Sequence, residues 1–392
     1  MTALFFTSGH AEWLERLPEF GQDIVPVVKK KHLARYAGLS PLYTVEDLSS
    51  VDSILAVGQR LAVRHRASRV LTLTEAAMVP VAALRESLAL PGQPVAEALR
   101  FTNKYLMKRC LRMAGIPVAP FELVAPSAAT TPRVPMPPPL IVKPVAGAGS
   151  VGVCQVLDGA GWDSWSRQHA DGGIFLAEPL VEMDSELHAD GVIIDGEVRF
   201  CCVSQYTNPL FESCGSIVGS YVLPEADPRT ARARDLHGEV VAALGLTSGV
   251  THMELFDTAR GLVVSEIASR PAGGGIVPAV AHATGVDLVQ AALALQLGAP
   301  VKLPPARRRT SLAGWLGLPA RRGKVSELTP AGELTRIPGV VDVTSHYEVG
   351  DVIVGQTTST FHASTLLFEV DDVSELRAFQ RSVAERYRLV VT

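Results

Sequence analysis

The chain has 392 residues, 47% hydrophobic and 19% charged, which is too many for one core, enough apolar material to pack two or three lobes, and too little charge for disorder. A net charge of -4 gives no bulk attraction to nucleic acid, so the basic clusters Arg307-Arg308-Arg309 and Arg321-Arg322 read as solvated faces. No uncharged run is long enough for a bilayer, Glu12 interrupts any secretory signal, and the five cysteines (Cys110, Cys154, Cys201, Cys202, Cys214) are odd in number without metal spacing; a cytoplasmic chain with free thiols is expected.

In chain order, "ALFFTS", "DIVPVV", "SILAVG" and "RVLTLT" are short apolar runs separated by polar or amphipathic pieces, which predicts a Rossmann-like open parallel sheet in the first hundred residues. The next run, "TEAAMVPVAALRESLALPG", predicts a helix ending at Pro91-Gly92. It puts Glu75 just past the carboxyl end of a strand, the edge where open α/β sheets bind ligands; an acid stabilised in a helix's first turn is the other reading. A further helix is predicted with Thr102 or Asn103 as its cap and Gly115 at its close. Lys104 then sits in the first turn, the wrong end of the dipole for a cation, and is either a solvated lysine or an anion-binding one. The stretch "APSAATTPRVPMPPP" cannot pack and reads as a surface connection.

"PLIVKPVAGAGSVGVCQVLD" contains Gly147, Gly149 and Gly152 in GxGxxG spacing. A dinucleotide loop must open a helix, whereas "VGVCQVL" is strand-like, so the glycines predict a hairpin flap whose N–H groups approach phosphates, with Lys143 to neutralise them or to guard a sheet edge. After it, Glu178 ends one strand and Glu186 enters another, positions suited to an adenine amino group and to ribose hydroxyls. Asp195-Gly196 predicts a two-residue turn. "QYTNPLFESCGSIVGSYVLP" reads as an irregular loop in which Phe211, Glu212 and Ser213 face substrate. Helices follow across "DPRTARARDLHGEVVAALGL" and "GVDLVQAALALQLG"; "DVIVGQ" and "STLLFEV" are strands and "VSELRAFQRSVAERY" is a final helix.

In "THMELFDTARGLVVSEIASRPAGG" two apolar runs face each other across a reversal flanked by Thr258 and Gly261, and Glu254 falls nearly opposite Glu266. Like charges opposite one another destabilise a sheet, so a cation is expected between them. His188 and His252 lie within strands and read as satisfied core residues; neither is assigned as a base.

In this order, a phosphate-type lysine, a lysine strand, a glycine flap, two nucleotide-type acids and two facing carboxylates followed by an arginine resemble the ATP-grasp superfamily. The likeness is closer to its carboxylate-amine ligases, including those that join free amino acids into dipeptides, and runs from about Glu75 to Gly298. It implies an α/β (α+β multidomain) architecture with an N-terminal lobe (1–100), a central lid (101–176) and a C-terminal metal-bearing lobe (177–300); an α+β extension (301–392) lies beyond the resemblance and is expected either to cover the site or to mediate a homodimer.

By that resemblance Lys104 and Lys143 hold ATP phosphates, Gly149 and Ser150 close over them, Glu178, Pro179, Leu180 and Val181 form the adenine hinge, and Glu186 takes the ribose. Glu254 and Glu266 are the ligands of magnesium, with manganese as its substitute. Arg270 acts on the phosphoryl group or tetrahedral oxyanion, Gly273 and Gly274 approach the same anion or a carboxylate, and Glu75 meets the amino group of the first substrate. The implied reaction joins a small carboxylate and an amine, amino acids by expectation, through an acyl phosphate. "EIASR" departs from the family pattern: Ala268 stands where an asparagine commonly aids a second metal, which leaves the number of metals open. The rival readings are another ATP-grasp chemistry with a different acceptor, a nicotinamide-dependent oxidoreductase using the GxGxxG, and a noncatalytic nucleotide-binding regulator.

Overall fold

The computed structural model describes residues 2–8, 13, 17–21, 23–36, 38–127, 133–147, 149–213, 215–305, 311–354 and 361–392. The arginine cluster at 307–309, Glu12, Cys214, and the side chains of Glu212 and Ser213 lie outside the described parts.

The N-terminal lobe is a parallel sheet of β1 (Thr2–Thr7), β2 (Asp23–Lys29), β3 (Tyr43–Val45) and β4 (Ala67–Thr72) in the order β3-β2-β1-β4. Between β3 and β4 lies helix α1 (Val51–His65), which contains the run "SILAVG" expected as a strand. Ser50 caps its start by accepting from Ser53 N, and the buried Ile54, Gly58, Leu61 and Ala62 recur at helical spacing, so the long periodic window overrides the short apolar run. After β4 a 3-10 turn (Glu75–Ala77) leads into α2 (Met78–Ser87), shorter than the helix expected to reach Pro91. Helix α3 (Val95–Thr102), which sequence reading missed, precedes α4 (Lys104–Met113), whose cap is Asn103 accepting from Tyr105 N and Leu106 N.

The lid is an antiparallel sheet of β5 (Glu122–Val124), β6 (Leu140–Pro144), β7 (Cys154–Val156) and β8 (Phe175–Pro179), ordered β5-β8-β6-β7 and packed under α5 (Gly159–Gln168) through Trp162 and Trp165. The GxGxxG segment joins β6 to β7, so it is a hairpin as expected and opens no helix. Strand β6 lies between β8 and β7, so Lys143 is not an edge guard.

The third sheet has eight strands. It comprises β9 (Ser185–Ile194), β10 (Glu197–Tyr206), β11 (Val218–Val222), β12 (Gly249–Thr258), β13 (Gly261–Ala268), β14 (Leu312–Pro319), β16 (Val340–Ser345) and β18 (His362–Val370) in the order β13-β12-β9-β10-β11-β14-β18-β16. Helices α6 (Pro228–Leu244), α7 (Ile276–Thr284) and α8 (Leu288–Leu297) pack on it, with α9 (Ala331–Leu334) and α10 (Val373–Arg386) in the C-terminal part. Strands β15 (Gly323–Leu328), β17 (Val352–Ile353) and β19 (Leu389–Val391) form a small separate sheet. Two expectations change here. The loop 205–224 contains strand β11, and that strand pairs with β14, so β14, β18 and β16 extend the sheet of the preceding lobe. Strand β8 crosses the expected 176/177 boundary within the lid sheet.

The β12–β13 hairpin decides the position of the facing acids. Thr258 pairs directly with Gly261, and this register alone would set Glu254 against Ser265. A bulge beside Leu255 takes up one extra residue on β13 and restores Glu254 opposite Glu266. Asp195 (φ 53°) and Gly196 (φ 79°) form the tight turn expected between β9 and β10. Cys110, Cys154, Cys201 and Cys202 are free thiols, and among the described residues no single helix is long and apolar enough to cross a membrane.

Candidate active site

Residues of helix α4, the lid sheet with its glycine flap, and the large sheet converge on one cavity. Its wall carries Lys104, Lys143, Gly149, Ser150, Glu178, Pro179, Leu180, Val181, Glu186, Glu254 and Glu266, each of them singled out from sequence. Ile141, Met183, Leu210, Phe211 and Phe256 supply apolar surface.

Helix α4 ends at the cavity with Lys104, whose Nζ donates to Gly147 O of the flap at 2.8 Å and pairs with Glu266 Oε2 at 3.0 Å. One turn on, Lys108 is fully buried, with Nζ 2.9 Å from Glu178 Oε1. That contact is an ion pair without hydrogen-bond alignment. Lys143, on β6, reaches Glu178 Oε2 at 3.1 Å. Burial alone would lower the Lys143 pKa, but Glu178 and Glu266 outweigh it and the ammonium is reinforced; for Lys108 burial prevails and its pKa falls. Glu178, penalised by burial, is nonetheless held below the usual carboxylate range by Lys143 and Lys108. The Glu178 carboxylate is therefore held between two lysines in the cavity wall. The hinge it begins is tied to the lid by Leu180 N donating to Pro139 O at 2.9 Å.

Opposite these lysines lie the acids. Glu186, on β9, accepts from Leu210 N at 2.8 Å, and burial together with the Glu254 charge pushes its pKa up to about 8. Glu266 is raised by burial but lowered further by Lys104 and Lys143, to about 2. Crowding three carboxylates into one wall is unfavourable without a cation, and hard oxygen donors of this kind match magnesium, so the residues fit the expected metal.

Beyond the cavity, Glu75 and Arg270 meet. Arg270 Nε donates to Glu75 Oε2 at 2.5 Å and Nη1 to Pro271 O at 2.8 Å. The glycines that follow have a packing reason: a Cβ at Gly274 (φ +63°) would come within 2.8 Å of the Trp315 indole, and one at Gly275 within 2.7 Å. Trp315 lies on β14, so the C-terminal segment backs the loop that carries Gly273 and Gly274.

Beneath Glu254 is a buried cluster that sequence reading did not assemble. His188 Nδ1 donates to Asp190 Oδ2 (2.6 Å) and His252 Nδ1 to Asp190 Oδ1 (2.9 Å), while His188 Nε2 meets Ser220 Oγ (2.8 Å), which accepts from Trp315 Nε1 (2.9 Å). The three side chains could group around a metal, but these separations are hydrogen bonds that already occupy both carboxylate oxygens. His188 is the satisfied core residue expected of it. His252 turns Nε2 toward Glu254 Oε1 at 3.6 Å, and Asp190 outweighs burial to raise its pKa to about 10.

Sequence reading missed Lys108, although its signal was present: it lies four residues after Lys104, on the same helical face as the buried Met107 and Leu111. Asp190 shares one face of β9 with His188, two residues before it, but its second partner His252 comes from the neighbouring strand β12, which no spacing along the chain records.

No family model matches the sequence. A Bacillus subtilis protein named L-arginine-specific L-amino acid ligase is 29% identical over 367 residues, spanning 90% of this chain and 87% of that protein. The solved L-amino acid ligase from Bacillus licheniformis superposes with a TM-score of 0.83 at 19% identity, over 100% of this chain and 98% of its own. The biotin carboxylase domain of Hydrogenobacter thermophilus 2-oxoglutarate carboxylase, solved as a dimer with MgADP, gives 0.71 at 16%, over 99% and 90%. The two structures share this chain's fold.

Proposed function

We propose, from the premise that this chain is an ATP-grasp carbon–nitrogen ligase of the carboxylate-amine branch, that it joins two amino acids with cleavage of ATP to ADP and phosphate. The carrying observation is the single cavity in which Lys104, Lys143 and the glycine flap face Glu186, Glu254 and Glu266. The amino-acid class comes from the Bacillus ligases; the arginine in one relative's name is not carried over.

In this reading Lys104 and Lys143 hold the nucleotide phosphates, with Gly149 and Ser150 closing over them, Pro179, Leu180 and Val181 bounding the base and Glu186 beside the ribose. Glu254 and Glu266 hold magnesium, or manganese in its place, which supplies charge neutralisation to the transferring phosphoryl group. The first amino acid's carboxylate oxygen bonds to the γ-phosphorus as the bond to ADP breaks. The second amino acid's nitrogen then attacks the acyl carbon, phosphate leaves, and the nitrogen gives up its proton. Arg270 presents a planar fork to the developing oxyanion, Glu75 orients that fork and receives the first substrate's ammonium group, and the N–H groups of Gly273 and Gly274 face its anionic end. Residues 312–319 support the loop from behind.

The test is release of ADP and phosphate, with magnesium and ATP, across a matrix of amino-acid pairs, with product masses measured and Glu266→Gln as control. Release tied to one pair, with a product equal to their summed mass less water, is expected. Release without any such product, or dependent on bicarbonate or another acceptor, replaces this reading with a different ATP-grasp chemistry, such as that of the carboxylase among its structural neighbours.

A further inference from the structure

A second cavity lies between the N-terminal lobe and the large sheet, apart from the nucleotide cavity. Its wall combines Arg85 of α2, Glu97 of α3, Gln296 of α8, Thr247 and Ser248 before β12, and the Gln93–Ser269 pair (3.0 Å). Arg85 is 3% exposed and Glu97 4%, yet neither has an oppositely charged group within 4 Å among the described residues. Arg85 spends Nε on Val70 O (2.8 Å) and Nη2 on Gln296 Oε1 (2.8 Å), and its other donors have no protein acceptor among those residues. Glu97 Oε2 accepts long bonds, 3.4 Å each, from Thr247 N and Oγ1, and the Gln93 side chain and the Arg100 charge also favour its carboxylate, yet burial still prevails. Buried charges without an ion-pair partner are costly, and a cation and an anion facing one cavity are complementary to a ligand carrying both.

We propose that this cavity is a binding site for a small zwitterion, a free α-amino acid in chemical class, whose carboxylate pairs with Arg85 and whose ammonium group pairs with Glu97. The site is shaped around the guanidinium: Gly92 (φ +140°) lies so close that a Cβ would stand 2.7 Å from Arg85 Cδ. Glu97, whose pKa burial raises, gains a partner that restores its charge. Ser269 joins the cavity to Arg270, the next residue, so occupancy is placed to bias the substrate-facing loop. The site does not depend on the ligase reading, since its groups are none of those given roles there.

Calorimetric titration of glycine, the smallest such zwitterion, into the full chain tests the site. Wild type is compared with Glu97→Gln, which removes one charge without changing shape, with Leu295→Trp, which fills the cavity and leaves both charges, and with Glu75→Gln, which removes a charge from the candidate substrate pocket and none from this cavity's wall. The expected result is saturable binding retained in Glu75→Gln and weakened about tenfold or more in Glu97→Gln and Leu295→Trp. Absence of binding to wild type, undiminished affinity in Leu295→Trp, or loss in Glu75→Gln alone overturns the proposal. If Glu97→Gln does not fold, Leu295→Trp decides by itself.

Discussion

Arg270 and Glu75, 195 residues apart, are joined by a 2.5 Å hydrogen bond that links the end of β13 to the N-terminal lobe. Each was expected to meet substrate; the structure makes each the other's partner first. Arg270→Lys keeps a cation beside Glu75 but loses the planar fork. The expected effect is a fall in ligation rate of about 100-fold or more with little change in thermal midpoint. Initial rates of phosphate release and calorimetric unfolding measure the two effects; a fully active Lys variant would remove Arg270 from the chemistry.

The buried Lys108–Glu178–Lys143 arrangement gives a second prediction. In Lys108→Met, Glu178 keeps one counter-ion, so the fold survives, but Lys143 becomes its sole partner and is less available to phosphate. The KM for ATP should rise about tenfold while the rate at saturation changes little. A KM unchanged from wild type would show that Glu178 does not restrain Lys143.

The facing acids predict opposite effects in the absence and presence of metal. Glu254→Gln relieves repulsion with Glu266 but gives up the attraction of the charged His252 at 3.6 Å, so the metal-free protein should gain no more than about 1 kcal/mol. The stabilisation by MgADP should shrink, since fewer oxygen donors remain for the ion. Scanning calorimetry with and without MgADP separates the two. Lower stability in the metal-free variant together with an undiminished MgADP shift would contradict the metal assignment.

His237 is fully buried on α6, with Nε2 2.7 Å from Thr251 Oγ1, and burial pushes its pKa down to about 4. Its folded pKa lies below the unfolded value of about 6.5, so the unfolded chain binds the proton first as pH falls. The resulting loss of stability begins below about pH 6.5 and is complete near pH 4, on the order of 3 kcal/mol. Asp190, Glu178 and Glu266, all held low, also lose their contributions in acid, so the His237 share is read by difference. Denaturant unfolding at pH 7 and 4.5 should show a smaller pH effect in His237→Gln than in wild type; equal losses would assign the acid sensitivity elsewhere.

Several features were legible because they are local. The Asn103 cap, the Asp195-Gly196 turn, the glycine hairpin and the acids about equally distant from a reversal depend on residues close in sequence, where backbone geometry and side-chain chemistry act directly. Periodicity failed at "SILAVG", because a short apolar run is compatible with either strand or helix until its flanks are weighed.

The sequence by itself determined which side chains bring charge to the site: Lys104, Lys143, Glu186, Glu254, Glu266, Glu75 and Arg270 each stand out as polar residues in apolar or glycine-rich surroundings. Only the tertiary structure decided which of these charges neutralise one another. Glu178 turned out to belong to Lys108 and Lys143, Arg270 to Glu75, and His252 to Asp190, while Arg85 and Glu97, both lining a second cavity, have no ion-pair partner among the described residues. The reason is physical: ion pairing acts over a few ångströms in space, and these partners arrive from different helices and strands, so no spacing along the chain records them.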